Sequence, residues 1–193
     1  EINLRTFDNR INEVETPAIL IAGCGTGQHS ITTATRFLNS KVLAVDLSLS
    51  SLAYAKRKTE ELGLQNIEYM QADILDLGKL EKQFEIVESQ GVLHHMKDPM
   101  AGWKVLAGCL KLGGFMSIGL YSEFARKHIV ALRDNISQYN IGSDDDAMKS
   151  FRRGIINSKD IEKHQKIKLS LDFYSLSEVR DLLFHVQEHR FTL

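Results

Sequence analysis

Short apolar runs alternate, over about the first two thirds of the chain, with segments in which apolar residues recur at helical spacing. Each run ends at a polar or glycine-rich stretch, as is typical of a buried strand that reaches the edge of a sheet. The runs lie at residues 18–22, 41–45, 66–73, 84–89 and 115–121. Strands and helices in this order predict an α/β fold with a mostly parallel, twisted sheet and helices on both faces.

Three helices are predicted between these strands. The first has apolar residues on one face, at Ile31, Ala34 and Leu38. The second extends from near Ser50 to Leu62 and stops at Gly63. The third begins near Pro99, and its helical spacing predicts that Trp103 belongs to the core rather than to a binding surface.

The first apolar run leads directly into Gly23, Gly25 and Gly27, which are followed by a helical pattern. Glycine permits unusual backbone dihedrals and a close approach by a ligand, and the N–H groups of the first helical turn face that ligand. The pattern therefore predicts a loop that binds a nucleotide-type cofactor. The dinucleotide fingerprint G-x-G-x-x-G would need a third glycine where this chain has Gln28.

Two acids end the next two predicted strands, Asp46 after the second and Asp73 after the third. A carboxylate has two acceptor oxygens, so Asp46 is suited to hold both hydroxyl groups of a ribose. By itself this acid fits NAD as well as other nucleotide cofactors.

The order and spacing of these motifs resemble those of class I S-adenosylmethionine (SAM) methyltransferases. The G-x-G-x-G spacing resembles their first motif, and FEIVESQGVLHHMKDP and LKLGGFMSIGLY resemble their fourth and fifth strand motifs. The resemblance extends over about residues 18–122. It implies the Rossmann-like class I methyltransferase fold, with SAM as cofactor.

The resemblance also implies roles for individual residues. Gly23, Cys24, Gly25 and Gly27 would form the turn beside the methionine part of SAM, although Cys24 is expected only to pack there. Asp46 would hold the ribose, Leu47 and Ile74 would enclose the adenine, and Asp73 would accept a hydrogen bond from its amino group. Ser89 and Gln90 would approach the methionine amine. These assignments form a list of expected cofactor contacts: Gly23, Cys24, Gly25, Gly27, Asp46, Leu47, Asp73, Ile74, Ser89 and Gln90.

A narrower resemblance rests on three strings: ILIAGCGTGQHS, VLAVDLSLSSLAYAKRKTEELG and DFYSLSEVRDLLFHVQEHRFTL. They are similar to methyltransferase domains attached to tetratricopeptide-repeat proteins, mostly bacterial. The GVLHH stretch is shared more widely, including with ubiquinone and menaquinone biosynthesis methyltransferases. No substrate follows from this resemblance.

Composition excludes several classes of function. The formal net charge of −1 provides no basic field for nucleic acid, and the lysines near residues 159–168 are interrupted by acids, as on a solvated helix face. No apolar stretch approaches the roughly 20 residues of a membrane span, and no signal peptide is visible. Cys24 and Cys109 are too few for a disulfide framework, which favours a reducing, cytoplasmic location.

Residues 123–193 depart from the alternation of strands and helices. Ala125, Ile129, Leu132 and Ile136 form a helical seam, and acids at 144 and 145 precede another helix. Ser175 and Glu178 predict a capping box for a helix that ends near Phe184. We therefore divide the chain into a SAM-binding core, 1–122, and a C-terminal part of the same domain, 123–193. This part is either a lid or substrate-recognition insert or a dimerisation or docking surface.

Histidines provide two further signals. His94 and His95 follow the fourth strand, and with Tyr121 they are the candidates for catalytic contacts to the substrate, although a packing role is also open. The string His185 to His189 matches the H-x-x-E-H pattern of some zinc peptidases, with both histidines on one helix face. No third ligand at a suitable spacing accompanies it, so no metal site is predicted.

The sequence thus predicts a SAM-dependent methyltransferase that acts by direct displacement on an O, N, C or S nucleophile of a small molecule or a protein. The alternatives are a non-catalytic module that keeps the fold or SAM binding and, less favoured, an NAD-dependent oxidoreductase. No nucleic acid or membrane partner is expected. The closing strands of the family are not evident before Leu193, so the fifth-strand edge is expected to pair with a second copy or with parts of a longer chain.

Overall fold

The computed structural model describes residues 14–185 and 187–192, with the side chains of 161–163 left aside. The chain divides into two compact units, Glu1–Leu120 and Tyr121–Leu193.

The first unit is built on a parallel sheet whose five strands lie in the order β3-β2-β1-β4-β5. The strands are β1 Ala18–Ala22, β2 Lys41–Asp46, β3 Ile67–Gln71, β4 Phe84–Gln90 and β5 Leu110–Gly119. The predicted fold class is therefore confirmed. One boundary differs, because the fifth strand begins at Leu110 rather than at Phe115.

Three α-helices connect these strands, and two of them begin at a side-chain cap. They are α1 Gln28–Arg36, α2 Leu49–Glu61 and α3 Pro99–Gly108. The Ser48 hydroxyl accepts the Ser51 N–H at the start of α2, and the Asp98 carboxylate accepts two N–H groups at the start of α3. Short 3₁₀ helices occupy Ile74–Leu80 and Leu93–His95. The prediction for Leu38 was wrong, because α1 ends before it and its side chain is exposed.

Alternate residues of β1 contribute to different hydrophobic clusters, as the alternation of side chains along a strand requires. Leu20 belongs to a cluster with Leu106 of α3, against which Trp103 packs, as predicted. Ile21 belongs to a second cluster with Ala34 of α1 and Leu52 of α2. The sheet is therefore covered on both faces.

The second unit is helical. Its α-helices are α4 Lys127–Gln138, α5 Asp145–Ile156, α6 Ile161–Lys168 and α7 Leu176–Val179, with a 3₁₀ helix at Leu171–Tyr174 and a π-helical turn at Arg180–Phe184. Ile129, Leu132 and Ile136 are buried, which confirms the predicted seam, whereas Ala125 lies before α4. The predicted capping box is not formed, because the Ser175 hydroxyl makes no cap bond to α7 and lies 2.9 Å from that of Ser177.

Among the described residues, no helix is both long enough and apolar enough to cross a membrane.

The H-x-x-E-H string has a structural role that differs from the zinc pattern. His185 and His189 are not helical, so the prediction that they share a helix face was wrong, and Val186 lies outside the described residues. Glu188, whose side chain is 1% exposed, is bound by arginines instead. Arg126 donates to the two carboxylate oxygens of Glu188 at 3.2 and 2.7 Å. A guanidinium nitrogen of Arg133 lies 3.4 Å from one of these oxygens.

Arg190 also contacts this carboxylate, with a guanidinium nitrogen 3.4 Å from the other oxygen of Glu188. Burial of Glu188 opposes ionisation, but the hydrogen bonds and positive charges of the arginines outweigh burial and lower its pKa. Because a buried charge is costly without its partners, this cluster holds the end of the chain to α4.

Glu188→Gln is expected to lower the free energy of unfolding by about 3 kcal/mol at neutral pH, since it leaves the partly buried Arg126 and Arg133 without their counter-ion. The pKa of Glu188 is lowered in the folded state. Its contribution is therefore present above the unfolded carboxyl pKa and is lost as the pH falls through the folded value. Urea unfolding across this range measures the difference, with Glu123→Gln, an exposed acid of the same unit, as control. Equal losses in both variants, or a loss independent of pH, would contradict the assignment.

Candidate functional site

The loop between β1 and α1 folds back over the end of β2. The Val45 carbonyl accepts the N–H groups of Gly23 and Cys24 at 2.7 and 2.9 Å, and Gly27 N–H donates to the Cys24 carbonyl at 3.0 Å. Gly23, Gly25 and Gly27 have φ angles of +80°, +52° and +90°. These left-handed conformations explain why glycine occupies the three positions.

Close packing adds a second constraint at two of the glycines. A Cβ atom at Gly23 would lie 2.1 Å from the Val92 side chain, and one at Gly27 would lie 2.6 Å from Cβ of Ala55. At Gly25 a Cβ atom would meet nothing within 4 Å. The outer glycines are therefore required for packing, whereas Gly25 faces open space.

Asp46 fixes the loop to the end of β2. One carboxylate oxygen accepts the Gly25 N–H at 2.7 Å, and the other accepts the Ser48 N–H at 2.8 Å. A carboxylate has about four lone-pair positions, so each oxygen retains acceptor capacity after these bonds. Asp46 is only partly buried and can use that capacity toward a ligand.

A cavity of about 390 Å³ lies beside this carboxylate, within the range of roughly 300–1,000 Å³ typical of small-molecule sites. It brings together several residues predicted from the sequence: Gly23, Asp46, Leu47, Asp73, Ile74 and His95. It is completed by residues for which the sequence suggested no role: Ala72, Leu75, Val92, Met96 and Lys97. Of these, Val92 and Met96 lie within two positions of the predicted His94–His95 pair. This closeness along the sequence is the signal that could have identified them.

The cavity combines two acids with apolar surface. Asp73 accepts the Leu75 N–H at 2.9 Å through one oxygen and thereby caps the 3₁₀ helix that carries Ile74. Leu47 and Leu75 are 65% and 49% exposed, unusual values for leucines next to a core. Apolar side chains around a few fixed acceptors suit a flat, aromatic group with a polar edge.

Ser89 and Gln90 do not line the cavity. The Ser89 hydroxyl is buried and donates to the Ala22 carbonyl at 3.0 Å, and the Gln90 amide donates to the Ser117 hydroxyl at 3.0 Å. The side chain of Ser89 is thus held within the sheet, whereas that of Gln90 is exposed.

The two candidate histidines differ in accessibility. The ring of His94 is fully buried and contacts that of His95, with 4.2 Å between centroids. This burial agrees with the packing role that the sequence also left open for His94, and its catalytic contact stays a prediction. His95 lines the cavity, and its catalytic contact to the substrate stays a prediction.

Cys24 and Tyr121 are both kept in their neutral forms. Burial, followed by the negative charge of Asp46, raises the pKa of Cys24 to about 12, which agrees with a packing role for the thiol. Burial is also the main cause that raises the pKa of Tyr121, in the second unit, where the guanidinium of Arg126 lies 3.5 Å from its ring centroid. The substrate contact of Tyr121 stays a prediction.

Comparison with known proteins gives consistent matches. Residues 19–114 match the family model described as a methyltransferase domain. An uncharacterized protein of Synechococcus sp. is 33% identical over 129 residues, which cover 66% of this chain and 31% of that protein. A ubiquinone biosynthesis O-methyltransferase of Acinetobacter baumannii is 24% identical over 132 residues, covering 68% of this chain and 55% of that enzyme.

Among solved structures, PKMT2 of Rickettsia typhi in complex with AdoHcy has a TM-score of 0.71 at 20% identity. The alignment covers 92% of this chain and 36% of that protein, and at this identity it supports the fold alone. The chain thus spans between about a third and about half of the length of the curated relatives given above.

Gly27→Ala is expected to destabilise the protein by about 3 kcal/mol, because the new methyl group overlaps Ala55 and the residue keeps a strained positive φ. Gly25→Ala is the matched control, with the same change and a positive φ but open space, and it should cost only about 1 kcal/mol. Urea unfolding of both variants measures the difference. If both variants lost the same stability, close packing at Gly27 would not be the constraint.

Proposed function

We propose that this chain binds SAM beside Asp46 and transfers the methyl group of SAM to an acceptor. The premise is that residues 19–114 belong to the methyltransferase domain family. The prediction of a class I SAM-dependent methyltransferase domain is confirmed by the family match and by the fold. The residue roles and the activity of the whole protein are our proposals.

The observation that supports this function most strongly is the geometry of Asp46. Its two oxygens are oriented by separate backbone N–H groups, those of Gly25 and Ser48, and the carboxylate lines the cavity. A carboxylate held in this way can accept hydrogen bonds from both hydroxyls of a ribose without further reorganisation.

The other end of the cavity suits adenine. Leu47 and Ile74 provide apolar surface for the ring, and we assign the Asp73 oxygen that does not cap the 3₁₀ helix as the acceptor for the exocyclic amine. With adenine next to Asp73 and the ribose on Asp46, the glycine loop is left for the methionine end of SAM. Against NAD stands Gln28, at the position where the dinucleotide fingerprint has its third glycine.

The chemical step needs little covalent assistance from the protein. When bound, SAM supplies a methyl group on a sulfonium, which is already a good leaving group. The contribution of the chain is to position the acceptor and to exclude water. His95, at the cavity, is our candidate to take the proton from an O–H, N–H or S–H nucleophile.

Several finer assignments are part of the proposal. The sequence strings support a relationship to methyltransferase domains of tetratricopeptide-repeat proteins. The acceptor is a small molecule or a protein, and the second unit is a substrate-recognition element or a docking surface.

Cys24 and Cys109 are free thiols, which supports a cytoplasmic location. The competing function, a module that binds SAM without catalysis, predicts cofactor binding but no transfer.

The first test is ligand selectivity. Isothermal titration should give saturable binding of SAM and of S-adenosylhomocysteine, because both join adenosine to an amino acid through sulfur. NAD, whose adenosine carries a diphosphate instead, should give no heat of binding. Binding of NAD without a response to either sulfur ligand would refute the methyltransferase proposal.

Asp46→Ala should cost roughly 1.5–3 kcal/mol of affinity for S-adenosylhomocysteine, the scale of charge-assisted hydrogen bonds, and Asp46→Asn should fall between this variant and the parent. Glu60→Ala, at an exposed acid on α2, is the control for a general effect of charge. An Asp46→Ala protein that folds and binds as tightly as the parent would show that this acid does not hold the ribose.

A further inference from the structure

The strand order reverses between β1 and β4, with β2 and β3 on one side and β5 on the other. In open parallel sheets, ligands bind in the crevice at the carboxyl ends of the strands where this reversal occurs. Glu88 lies at this place, on β4, in register with Ile21 of β1 and Ser117 of β5. Only Ser89 and Gln90 separate it from the end of the strand.

A side chain from α1 contacts Glu88. His29, in the first turn of α1, brings its Nε2 atom within 3.0 Å of one Glu88 oxygen, Oε2. The Thr33 hydroxyl donates to the same oxygen at 3.3 Å. Within the described part of the chain, the other oxygen, Oε1, has no hydrogen-bond partner. The side chains of His29 and Glu88 are 44% and 21% exposed.

Another acid of the same strand shows what a purely structural role looks like. Glu85, at the amino end of β4, uses both oxygens, one for the Ala18 N–H at 2.7 Å and one for the Lys111 ammonium. Glu88 carries the same charge on the same central strand, where charged residues are costly, but only one of its oxygens is bound. Glu88, near the ligand-binding edge, therefore has one oxygen with acceptor capacity left for a ligand.

We propose that Glu88 binds the α-ammonium group of the amino-acid end of SAM, and that His29 is a positioning residue that holds the carboxylate. This inference rests on the proposed function, because it presumes that adenosine occupies the cavity at Asp46. The ligand then extends from β2 past the glycine loop to β4, which lies two strand spacings, about 10 Å, away. The thioether arm of SAM runs in this direction, and its cationic end meets the negative charge of Glu88.

The experiment combines a change in the protein with a change in the ligand. Titrations compare S-adenosylhomocysteine with its deamino analogue, which keeps the carboxylate but lacks the amine, and with methylthioadenosine, which lacks the whole amino-acid group. The proteins are the parent, Glu88→Gln, His29→Gln and the control Glu68→Gln, an exposed acid on β3.

In the parent, the deamino analogue should bind about tenfold more weakly than S-adenosylhomocysteine, since it lacks the charge-assisted bond. Glu88→Gln should lower the affinity for S-adenosylhomocysteine about tenfold and leave the affinities for the other two ligands within about twofold of the parent's. The loss of the ligand's amine and the loss of the Glu88 charge are then not additive. His29→Gln should give a smaller loss with the same ligand selectivity, and Glu68→Gln no change. By contrast, Asp46→Ala should weaken all three ligands.

Three results would overturn the inference. In the first, Glu88→Gln lowers the affinity for methylthioadenosine as much as that for S-adenosylhomocysteine, which would show that the role of Glu88 is structural. In the second, Glu88→Gln leaves both affinities unchanged. In the third, the parent binds the deamino analogue as tightly as S-adenosylhomocysteine, a result that needs no variant and holds even if Glu88→Gln fails to fold. If the parent binds none of these adenosine ligands, the proposed function fails rather than this assignment alone.

Discussion

The functional edge of the sheet depends on the bonds between the glycine loop and the end of β2. The Val45 carbonyl accepts two loop N–H groups, and the Asp46 carboxylate accepts a third from Gly25. To make these bonds the backbone turns back on itself at the end of β1, which requires positive φ angles at the glycines. The same bonds orient Asp46, so the conformation of the loop and the position of the acid are one constraint.

The elements that depend on local signals could be predicted from the sequence. The β1 pattern, with Leu20 and Ile21 contributing to different clusters, follows from alternation within a buried strand. The loop followed from glycine spacing, and the acids at 46 and 73 followed from their places at strand ends. These features share the property that neighbouring residues determine them, whatever the rest of the chain does.

The features that sequence reasoning missed depend on contacts between distant segments. His94 follows a strand as a ligand-binding residue would, but its ring is directed into the interior. Ser175 has the sequence of a cap, but its hydroxyl contacts Ser177 instead. The His185–His189 string is not helical, and Glu188 is bound by arginines that lie more than fifty positions earlier, apart from Arg190. A pattern within a few residues cannot report such partners.

The buried and partly buried acids of this chain differ in how far their oxygens are bound, and this difference separates structural acids from those suited to bind a ligand. Glu188 and Glu85 have both oxygens bound to cationic or N–H donors, so their charge is neutralised within the protein. Asp46 and Asp73 accept backbone N–H groups but face a cavity, and Glu88 keeps one oxygen without a partner among the described residues. All three of these acids lie within two residues of the carboxyl end of a parallel strand. Because the strands of a parallel sheet all end at the same edge, the fold collects incompletely bound acceptors there, and a ligand with donors along its length can complete them.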